Sequence, residues 1–430
     1  MTSAPLQAIR GTRDIWGTEI RLWQYLEQHA RDILGRANYQ EIRTPIFEAT
    51  ELFQRGIGEG TDIVSKEMYT FTDRGERSLT LRPEGTAGVV RSLIEHKRLS
   101  QGVQRCWYQG AMFRYERPQA GRQRQFHQLG VEVFGSDDPR IDVEVMAVAL
   151  EFLQALEIPN LTLELNSVGD PADRQRYKAA LVEYLTPYAA DLDPDSQVRL
   201  TKNPLRILDS KDPATQAILR TAPQLPQYLG KAAQQHFEQV QQGLQALGLA
   251  YELNPRLVRG LDYYTRTAFE ITTQDLGAQS AVGGGGRYDH LVEELGGTAT
   301  PAVGWAMGLE RLVVLLQKQG EPPAPELDIY IVSQGAGTAT LSLQISQMLR
   351  AHGLRVEMDV SQSSLGKQIK RADKLGSKAC VIVGETEVTT RQIPVKWLAT
   401  GVQELVAFPS GFSDPALWRT KFRQATSMLR

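Results

Sequence analysis

Met112-Phe-Arg-Tyr-Glu-Arg-Pro-Gln-Ala-Gly-Arg-Gln-Arg-Gln-Phe-His-Gln-Leu-Gly-Val-Glu-Val-Phe134 is the stretch of this 430-residue sequence that decides the fold. Pro118-Gln-Ala-Gly121 is a turn signal. The segments on either side, Arg105 to Tyr115 and Gln125 to Gly135, read as two strands of an antiparallel pair. Side chains alternate between the faces of a strand. In the second strand Phe126, Gln128, Gly130 and Glu132 therefore share one face, and His127, Leu129, Val131 and Val133 share the other. Arg114 and Glu116 share a face of the first. From Arg105 to Arg124 there are five arginines and one acid. A sheet face of Arg, Glu, Gln and an open Phe is costly against an apolar core. It suits a polar, anionic ligand with an aromatic group, because arginine forks fit phosphate and a ring can stack on a base. A solvated hairpin laced with ion pairs is the other reading of the same pattern.

Outward from this hairpin, the spacing of apolar residues predicts helices over 20–39, 87–96, 143–156 and 309–317. Short strands are expected at Tyr39–Pro45, Leu79–Arg82, Leu161–Leu165, Thr265–Thr272 and Ala302–Met307. From about 171 to 248 the chain is rich in Ala, Gln, Leu and Tyr, with prolines at intervals, and reads as a helical insertion. Many short strands without regular βαβ alternation argue for an antiparallel sheet with helices, an α+β unit. Glu321-Pro-Pro-Ala-Pro-Glu326 cannot continue a helix and reads as a linker. This divides the chain into 1–320, a linker at 321–326, and 327–430. In the last piece strands at Ile329–Val332, Val356–Asp359 and Val381–Val383 alternate with helices at 341–351 and 365–375. That pattern predicts a small α/β domain with a largely parallel sheet.

Composition narrows the class. The chain is 41% hydrophobic and 23% charged, which excludes a disordered or collagen-like protein. Its net charge is −2, so the whole is not a polycation. From Asp328 onward, however, 13 Lys/Arg face 8 Asp/Glu, a balance of +5 against −7 for the remainder, and such asymmetry suggests a nucleic-acid partner. Cys106 and Cys380 are the only cysteines, too few for a disulfide scaffold or a four-cysteine zinc site, and they fit a reducing cytosol. Met1 to Arg13 holds no apolar signal-peptide core, and no apolar run reaches the length of a membrane span. A soluble, intracellular, multidomain protein is the expectation.

Further segments carry candidate chemistry. Arg82-Pro-Glu-Gly-Thr86 lies where a strand gives way to a helix. Glu84 offers an acceptor for an ammonium and Thr86 a hydroxyl; a plain helix start capped by Thr86 is the alternative. Leu257-Val-Arg-Gly-Leu-Asp-Tyr-Tyr-Thr-Arg266 puts Arg259 beside a glycine and ahead of Tyr263 and Tyr264, a counter-charge for a carboxylate or phosphate. Ala281-Val-Gly-Gly-Gly-Gly-Arg-Tyr-Asp289 lacks the Gly-Lys-Ser/Thr ending of a P-loop. Its glycines let a ligand lie against bare backbone, or make a flexible hairpin. In Pro301–Leu316 a small-residue strand feeds an apolar helix, with Arg311 off the core stripe. In the 365–375 helix, Lys367, Lys370, Arg371 and Lys374, with Lys378 beyond it, gather on one broad face away from Leu365, Ile369 and Ala372. Such a face is either solvated or an RNA surface.

Taken together, the 112–134 segment, the Gly308-Leu-Glu-Arg311 helix start and the Pro45 element resemble the three motifs of class II aminoacyl-tRNA synthetases. The 82–86, 257–265 and 283–289 segments resemble those of the histidyl-tRNA synthetases, and Ser363–Gly376 with Val381–Glu385 resembles their anticodon-binding domain. The resemblance runs from about Arg10 to the end. It implies an α+β, antiparallel-sheet catalytic domain and histidine activation by ATP, with magnesium bound along with ATP and no metal site of the protein's own. It further implies histidyl transfer to tRNA(His), a homodimer built around the Pro45 element, and a cytoplasmic location with no membrane. By the same resemblance, Glu84, Gly85, Thr86 and Gln128 would hold the histidine ammonium end. Glu132 and Tyr264, with Tyr263 beside them, would read the imidazole. Arg259 and Arg114 would be catalytic at the α-phosphate, Glu116 and Phe126 would meet adenine, and Arg122 and Arg311 the terminal phosphates. Arg117 and Gln119 would approach the tRNA acceptor end, and Lys367, Lys370, Arg371 and Lys374 its anticodon arm. A regulatory paralogue of these enzymes, acting in histidine biosynthesis without aminoacylation, is the rival. It typically lacks the anticodon-binding domain and part of the Arg-Gly-Leu-Asp-Tyr-Tyr segment, both of which stand here.

Overall fold

The computed structural model describes residues 6–58, 61–119, 121–258, 261, 263–277, 280–320 and 326–427, without the side chains at 209, 419 and 423–427. The chain forms two compact units, Met1–Pro322 and Pro323–Arg430.

The strands of the first unit are β1 (Gln40–Glu41), β2 (Phe47–Ala49), β3 (Tyr69–Thr72), β4 (Ser78–Leu81), β5 (Gln104–Phe113), β6 (Gln125–Phe134), β7 (Leu161–Ser167), β8 (Glu252–Leu253), β9 (Thr265–Thr273), β10 (Ala281–Arg287) and β11 (Ala302–Gly308). Eight of them form one sheet in the order β1-β5-β6-β11-β10-β9-β7-β8. The pairs from β5 through to β7 are antiparallel. The short outer strands β1 and β8 pair in parallel. The remaining three strands make a small sheet, β2-β4-β3. The helices that matter below are α1 (Gly17–Arg36), α2 (Thr86–Glu95), α3 (Pro139–Ala155), α4 (Pro171–Leu185), α5 (Pro194–Lys202), α6 (Pro213–Leu219), α7 (Lys231–Ala246) and α8 (Leu309–Gln319). This is the expected α+β class, with α4 to α7 as the helical insertion between β7 and β8.

The period-2 pattern of β6 sorts into two faces as its sequence demands. Leu129, Val131 and Val133 are buried on one face with Trp107, Phe269, Ile271 and Trp305, against Leu26 of α1, Met146 and Phe152 of α3 and Leu312 of α8. Each such side chain contributes about 2 kcal/mol by leaving water. The Trp305 indole N–H donates to the Val145 carbonyl at 2.9 Å, so its one polar atom is paired inside this core.

Four helices of the first unit begin on the same Asp-Pro dipeptide: Asp138 before α3, Asp170 before α4, Asp193 before α5 and Asp212 before α6. Proline is preorganised for the first helical position and has no N–H to leave orphaned, while aspartate accepts from the first free amides. The carboxylates of Asp138, Asp193 and Asp212 accept from Arg140, Ser196 and Thr215 backbone N–H groups in this way. Pro171, Pro194 and Pro213 in the insertion are thus helix starts rather than breaks.

The second unit holds β12 (Ile329–Ser333), β13 (Val356–Met358), β14 (Ala379–Val383), β15 (Gln392–Trp397) and β16 (Gln403–Ala407), in the order β13-β12-β14-β15-β16. Its helices include α9 (Thr338–Ala351) and α10 (Leu365–Lys374). β12 pairs in parallel with β13 and β14, but β14, β15 and β16 pair antiparallel. The sheet is therefore mixed, not largely parallel. A hairpin over 392–407 adds two strands that the helix–strand alternation did not indicate.

Candidate active site

Cross-strand register brings the other face of the large sheet together as a floor. Cys106, Glu132, Gly304, Gly286 and Ala268 stand in one row across five strands. Tyr108, Gly130, Ala306, Gly284 and Glu270 form the next row, and Gly110, Gln128 and Gly308 a third. The first two rows are glycine or alanine at their middle, Gly304 and Ala306, so the face is hollow there, with Glu132, Glu270 and Gln128 as the long polar side chains around the hollow. The hollow is a cavity of about 320 Å³ lined by Glu84, Thr86, Arg114, Glu116, Arg122, Phe126, Gln128, Glu132, Tyr263, Tyr264 and Arg311, all singled out from the sequence. The glycine run at 283–286 lies within β10, paired on both sides, and is neither a phosphate loop nor a flexible hairpin.

One end of the cavity is a buried acid pair. Glu84 is 3% exposed, and its two oxygens accept from the Thr86 and Ala87 backbone amides at 2.6 and 2.9 Å. Glu84, not Thr86, thereby caps α2. The Thr86 hydroxyl instead donates to Glu132 Oε1 at 2.6 Å, and the Tyr288 hydroxyl donates to Glu132 Oε2. A Cβ at Gly304 would lie 1.9 Å from Glu132 Oε2, so a glycine there makes room for the carboxylate. Burial pushes Glu132 up to about 8; the nearby Glu84 charge adds to this, and the two hydroxyl donors oppose it. Burial likewise raises Glu84 against its amide donors and Arg114. Two buried carboxyls held above their ordinary range favour a ligand that brings positive charge and N–H donors. The rings of Tyr263 and Tyr264 lie 4.8 Å apart, and Tyr263 meets Tyr288 edge-on at 5.4 Å. Gln128 Oε1 is buried in the same cavity without a partner.

The other end is cationic. Arg82, itself buried, donates to the Ala111 and Thr44 carbonyls at 2.8 and 2.9 Å and fixes the loop that carries Glu84. Arg114 donates from Nε to the Pro83 carbonyl at 2.8 Å, and its guanidinium lies 5.3 Å from the Phe126 ring centre. Arg122 donates to Glu116 Oε2 at 2.8 Å. Arg311 donates to the Ala281 carbonyl. Burial, then the neighbouring Arg122 charge, push the Arg311 guanidinium down. Like charges gathered in a partly dry cleft are relieved by an anion between them. An aromatic face beside them can take a base.

Three residues in the site were given no role by sequence reasoning. Tyr288 sits inside the glycine-rich segment, Tyr108 on β5, and Glu310 beside Arg311. Both Glu310 oxygens accept from the His127 backbone N–H, at 3.0 and 2.9 Å, and Oε1 also meets His127 Nδ1 at 2.9 Å. This clamp ties the start of α8 to β6 and so sets where Arg311 stands. Alternation along β5 is the signal that could have found Tyr108; nothing local signals the hydrogen bonds of the other two, which are made to residues far away in sequence.

Arg117 and Gln119 are exposed on the loop between β5 and β6, outside the cavity. Gln119 exchanges backbone hydrogen bonds with Arg122 at 3.0 and 2.9 Å, which closes a tight turn. Gly85 lies under the Tyr108 ring rather than in the cavity wall. Arg259 lies outside the described residues. On α10, Lys367, Lys370 and Lys374 are exposed. Arg371 differs: its guanidinium donates to the buried Asp359 carboxylate at 2.9 and 2.5 Å and to the Ser361 and Ser363 hydroxyls. Lys378 is also occupied, by Asp328 and Glu326 at 3.0 and 2.9 Å. A buried carboxylate needs a cation, and Arg371 supplies it to Asp359.

A family model described as histidyl-tRNA synthetase matches residues 11–312, and one described as anticodon binding domain matches residues 328–410. The chain is 62% identical to a histidine–tRNA ligase of Picosynechococcus sp., over 98% of this chain and 99% of that one. It is 63% identical to the histidine–tRNA ligase of Thermosynechococcus vestitus, over 97% of each. The fold superposes on the crystal structure of the apo histidyl-tRNA synthetase of S. aureus with a TM-score of 0.79 and 37% identity, covering 95% of this chain and 99% of that one.

Proposed function

Because the chain belongs to the histidyl-tRNA synthetase family, we propose that the two ends of its cavity divide the work of a histidine–tRNA ligase. The reaction has two steps. A histidine carboxylate oxygen attacks the α-phosphorus of ATP, the bond to the β-phosphate oxygen breaks, and histidyl-adenylate and diphosphate form. A terminal ribose hydroxyl of tRNA(His) then attacks the activated carbonyl and gives up its proton, and AMP leaves with the bonding electrons of the C–O bond. The attacking group in each step belongs to a substrate, so the site needs no protein nucleophile. Positioning and charge stabilisation are its task.

The observation that carries this reading is one cavity with a buried acid pair at one end and an arginine set around Phe126 at the other. Glu84, Thr86 and Gln128 take the ammonium, with Gly85 holding the loop close. Glu132 and Tyr264, beside Tyr263, take the imidazole. Arg114 and Arg259 meet the carboxylate and α-phosphate. Glu116 and Phe126 take adenine, and Arg122 and Arg311 the outer phosphates. Magnesium would enter with ATP. No group of three metal-binding side chains stands together among the described residues. Glu116 and Glu270, though, give the cavity oxygen donors of the kind magnesium takes. Formation of histidyl-tRNA from histidine, ATP and tRNA(His) tests the reading. The regulatory paralogue would form none, and the full-length similarity to ligases argues against it.

We place the catalytic part at 1–320, its insertion at about 171–248, a linker at 321–326 and the anticodon-binding domain at 327–430. We also infer a homodimer formed through the β2-β4-β3 sheet, where Phe47 and Phe71 meet edge-on yet remain 53% and 44% exposed. Among the described residues no helix is long and apolar enough to cross a membrane, and the cytoplasm is the location we assign.

Two expectations concern tRNA. Gln119, exposed at the turn beyond the cavity, faces the acceptor end in this reading. Gln119→Ala should slow transfer to tRNA about tenfold and leave adenylate formation within twofold, about 0.4 kcal/mol; equal losses in both half-reactions would refute the assignment. Lys370→Glu with Lys374→Glu should weaken tRNA binding and flatten the slope of log affinity against log salt by about 2, one per lost phosphate contact. An unchanged slope in the folded variant would move the RNA surface elsewhere on this unit. Arg371, bound to Asp359, is expected to hold the Ser361–Ser363 loop in shape rather than touch phosphate.

A further inference from the structure

Among the described residues, none that lines the large cavity comes from the helical insertion. The insertion nevertheless grips the chain that carries Tyr263 and Tyr264. The β7–β9 ladder ends with Ser167 opposite Thr267, but pairing continues past it. The Val168 N–H donates to the Arg266 carbonyl at 2.7 Å, and the Arg266 N–H donates to the Gly169 carbonyl at 2.9 Å. Helix α4 starts directly afterwards, on Asp170-Pro171. Two side chains from this start reach back to the same segment. The Asp170 carboxylate accepts from Arg266 Nε at 2.9 Å, and the Arg174 guanidinium donates to the Tyr264 carbonyl at 2.6 Å. Arg174 and Tyr264 also share the wall of a small cavity of about 50 Å³, together with Leu205 and Leu225 of the insertion. Tyr264 therefore lies between the large cavity on one side and the insertion on the other.

The gripped segment does not hold its shape by itself. Arg266 has φ +47°, a left-handed value that residues other than glycine rarely adopt. Such a conformation persists where the surroundings over-determine it, and it concentrates at functional sites. Here two backbone bonds and the Asp170 carboxylate fix Arg266, and Arg174 fixes the carbonyl two residues before it. A hydrogen bond from a charged donor is among the stronger ones. Tyr264 is 8% exposed, so a shift of its backbone carries its ring with it into or away from the cavity. Small misplacements of that kind, caused far from the reacting atoms, are costly in a preorganised site. We propose that Arg174 is a positioning residue: from the first turn of the insertion it sets the place of the Tyr264 backbone, and through it the grip on the substrate imidazole. The inference rests on the histidine reading of this cavity and adds to it a residue that touches no substrate.

The test is Arg174→Met in the full chain, which keeps a long apolar stem and removes the donor, assayed by histidine-dependent exchange of diphosphate into ATP. It is expected to raise the Michaelis constant for histidine about tenfold, the size of one charge-assisted hydrogen bond, and to leave that for ATP within about twofold. Arg174→Lys, which restores a charged donor, should recover most of the loss. Arg176→Met is the control for general loosening of α4, because the Arg176 guanidinium donates to Asp173 and to the Tyr228 carbonyl, at 2.6 and 3.0 Å, within the insertion and at its start. Its constant for histidine should stay within about twofold of wild type. If Arg174→Met does not fold, Arg174→Gln takes its place, with a neutral donor and an expected rise of about threefold. A folded variant with an unchanged histidine constant, equal rises for histidine and ATP, or an Arg176→Met effect as large as that of Arg174→Met would each overturn the proposal. Absence of histidine-dependent exchange in the wild type would be a different failure, that of the functional reading itself.

Discussion

Glu132→Ala is expected to raise the Michaelis constant for histidine a hundredfold or more, while that for ATP moves less than threefold. The carboxylate is 1% exposed, and Thr86 and Tyr288 point their hydroxyls at it. Removing it deletes the acceptor for the imidazole N–H and strands two buried donors. A site built around such bonds discriminates by large factors, and about 2.7 kcal/mol is a hundredfold. Steady-state exchange kinetics with each substrate varied in turn would check this, and equal rises in both constants would contradict it. The same carboxyl sets a pH dependence of stability. Its folded value of about 8 lies above the ordinary 4.5, because burial disfavours the ion. Stability from a group raised in this way is complete below the unfolded value and is lost as pH rises through the folded value. Glu132→Gln, which never ionises, should therefore unfold at the same temperature as the wild type near pH 4. It should become the more stable of the two on approach to pH 9. A midpoint difference that does not grow with pH would contradict this.

Arg259→His should lower adenylate formation by about a thousandfold with no fall in the thermal midpoint. Two anions, the histidine carboxylate and the ATP α-phosphate, must be brought into contact. Donors aimed at charge that develops in the transition state commonly each supply a hundredfold to a thousandfold. Arg114, Arg122 and Arg311 line the cationic end of the cavity but are each held in part by Pro83, Glu116 or Ala281. A rate within about threefold of wild type would remove Arg259 from the chemistry.

The site was readable where one strand carries it and unreadable where several strands meet. Phe126, Gln128 and Glu132 were placed together because alternation along β6 leaves no other arrangement once Leu129, Val131 and Val133 are buried. β10 was harder. Four glycines have poor strand propensity and no side chains to form a pattern, so their place in the sheet comes from pairing with β9 and β11 on either side. In the second unit, Ile393, Val395 and Trp397 recur at every second position of β15, a period-2 signal that the 392–397 segment did contain, although Pro394 between them is buried too. Its Pro394 weakens the strand reading because proline offers no ladder donor. Charge and helical spacing grouped Arg371 with the lysines of α10. Its bond to Asp359 spans 12 positions and depends on where β13 ends. The bond of Tyr288 to Glu132 joins residues 156 positions apart and becomes visible only with the sheet register in hand.

The most direct measurement of what this cavity does is exchange of radiolabelled diphosphate into ATP with each of the twenty amino acids in turn and no tRNA present. Exchange supported by histidine alone, and abolished by Arg259→His, is the expected result. Exchange with another amino acid in preference, or none with histidine in a folded protein, would contradict the assignment of the buried acid pair to histidine.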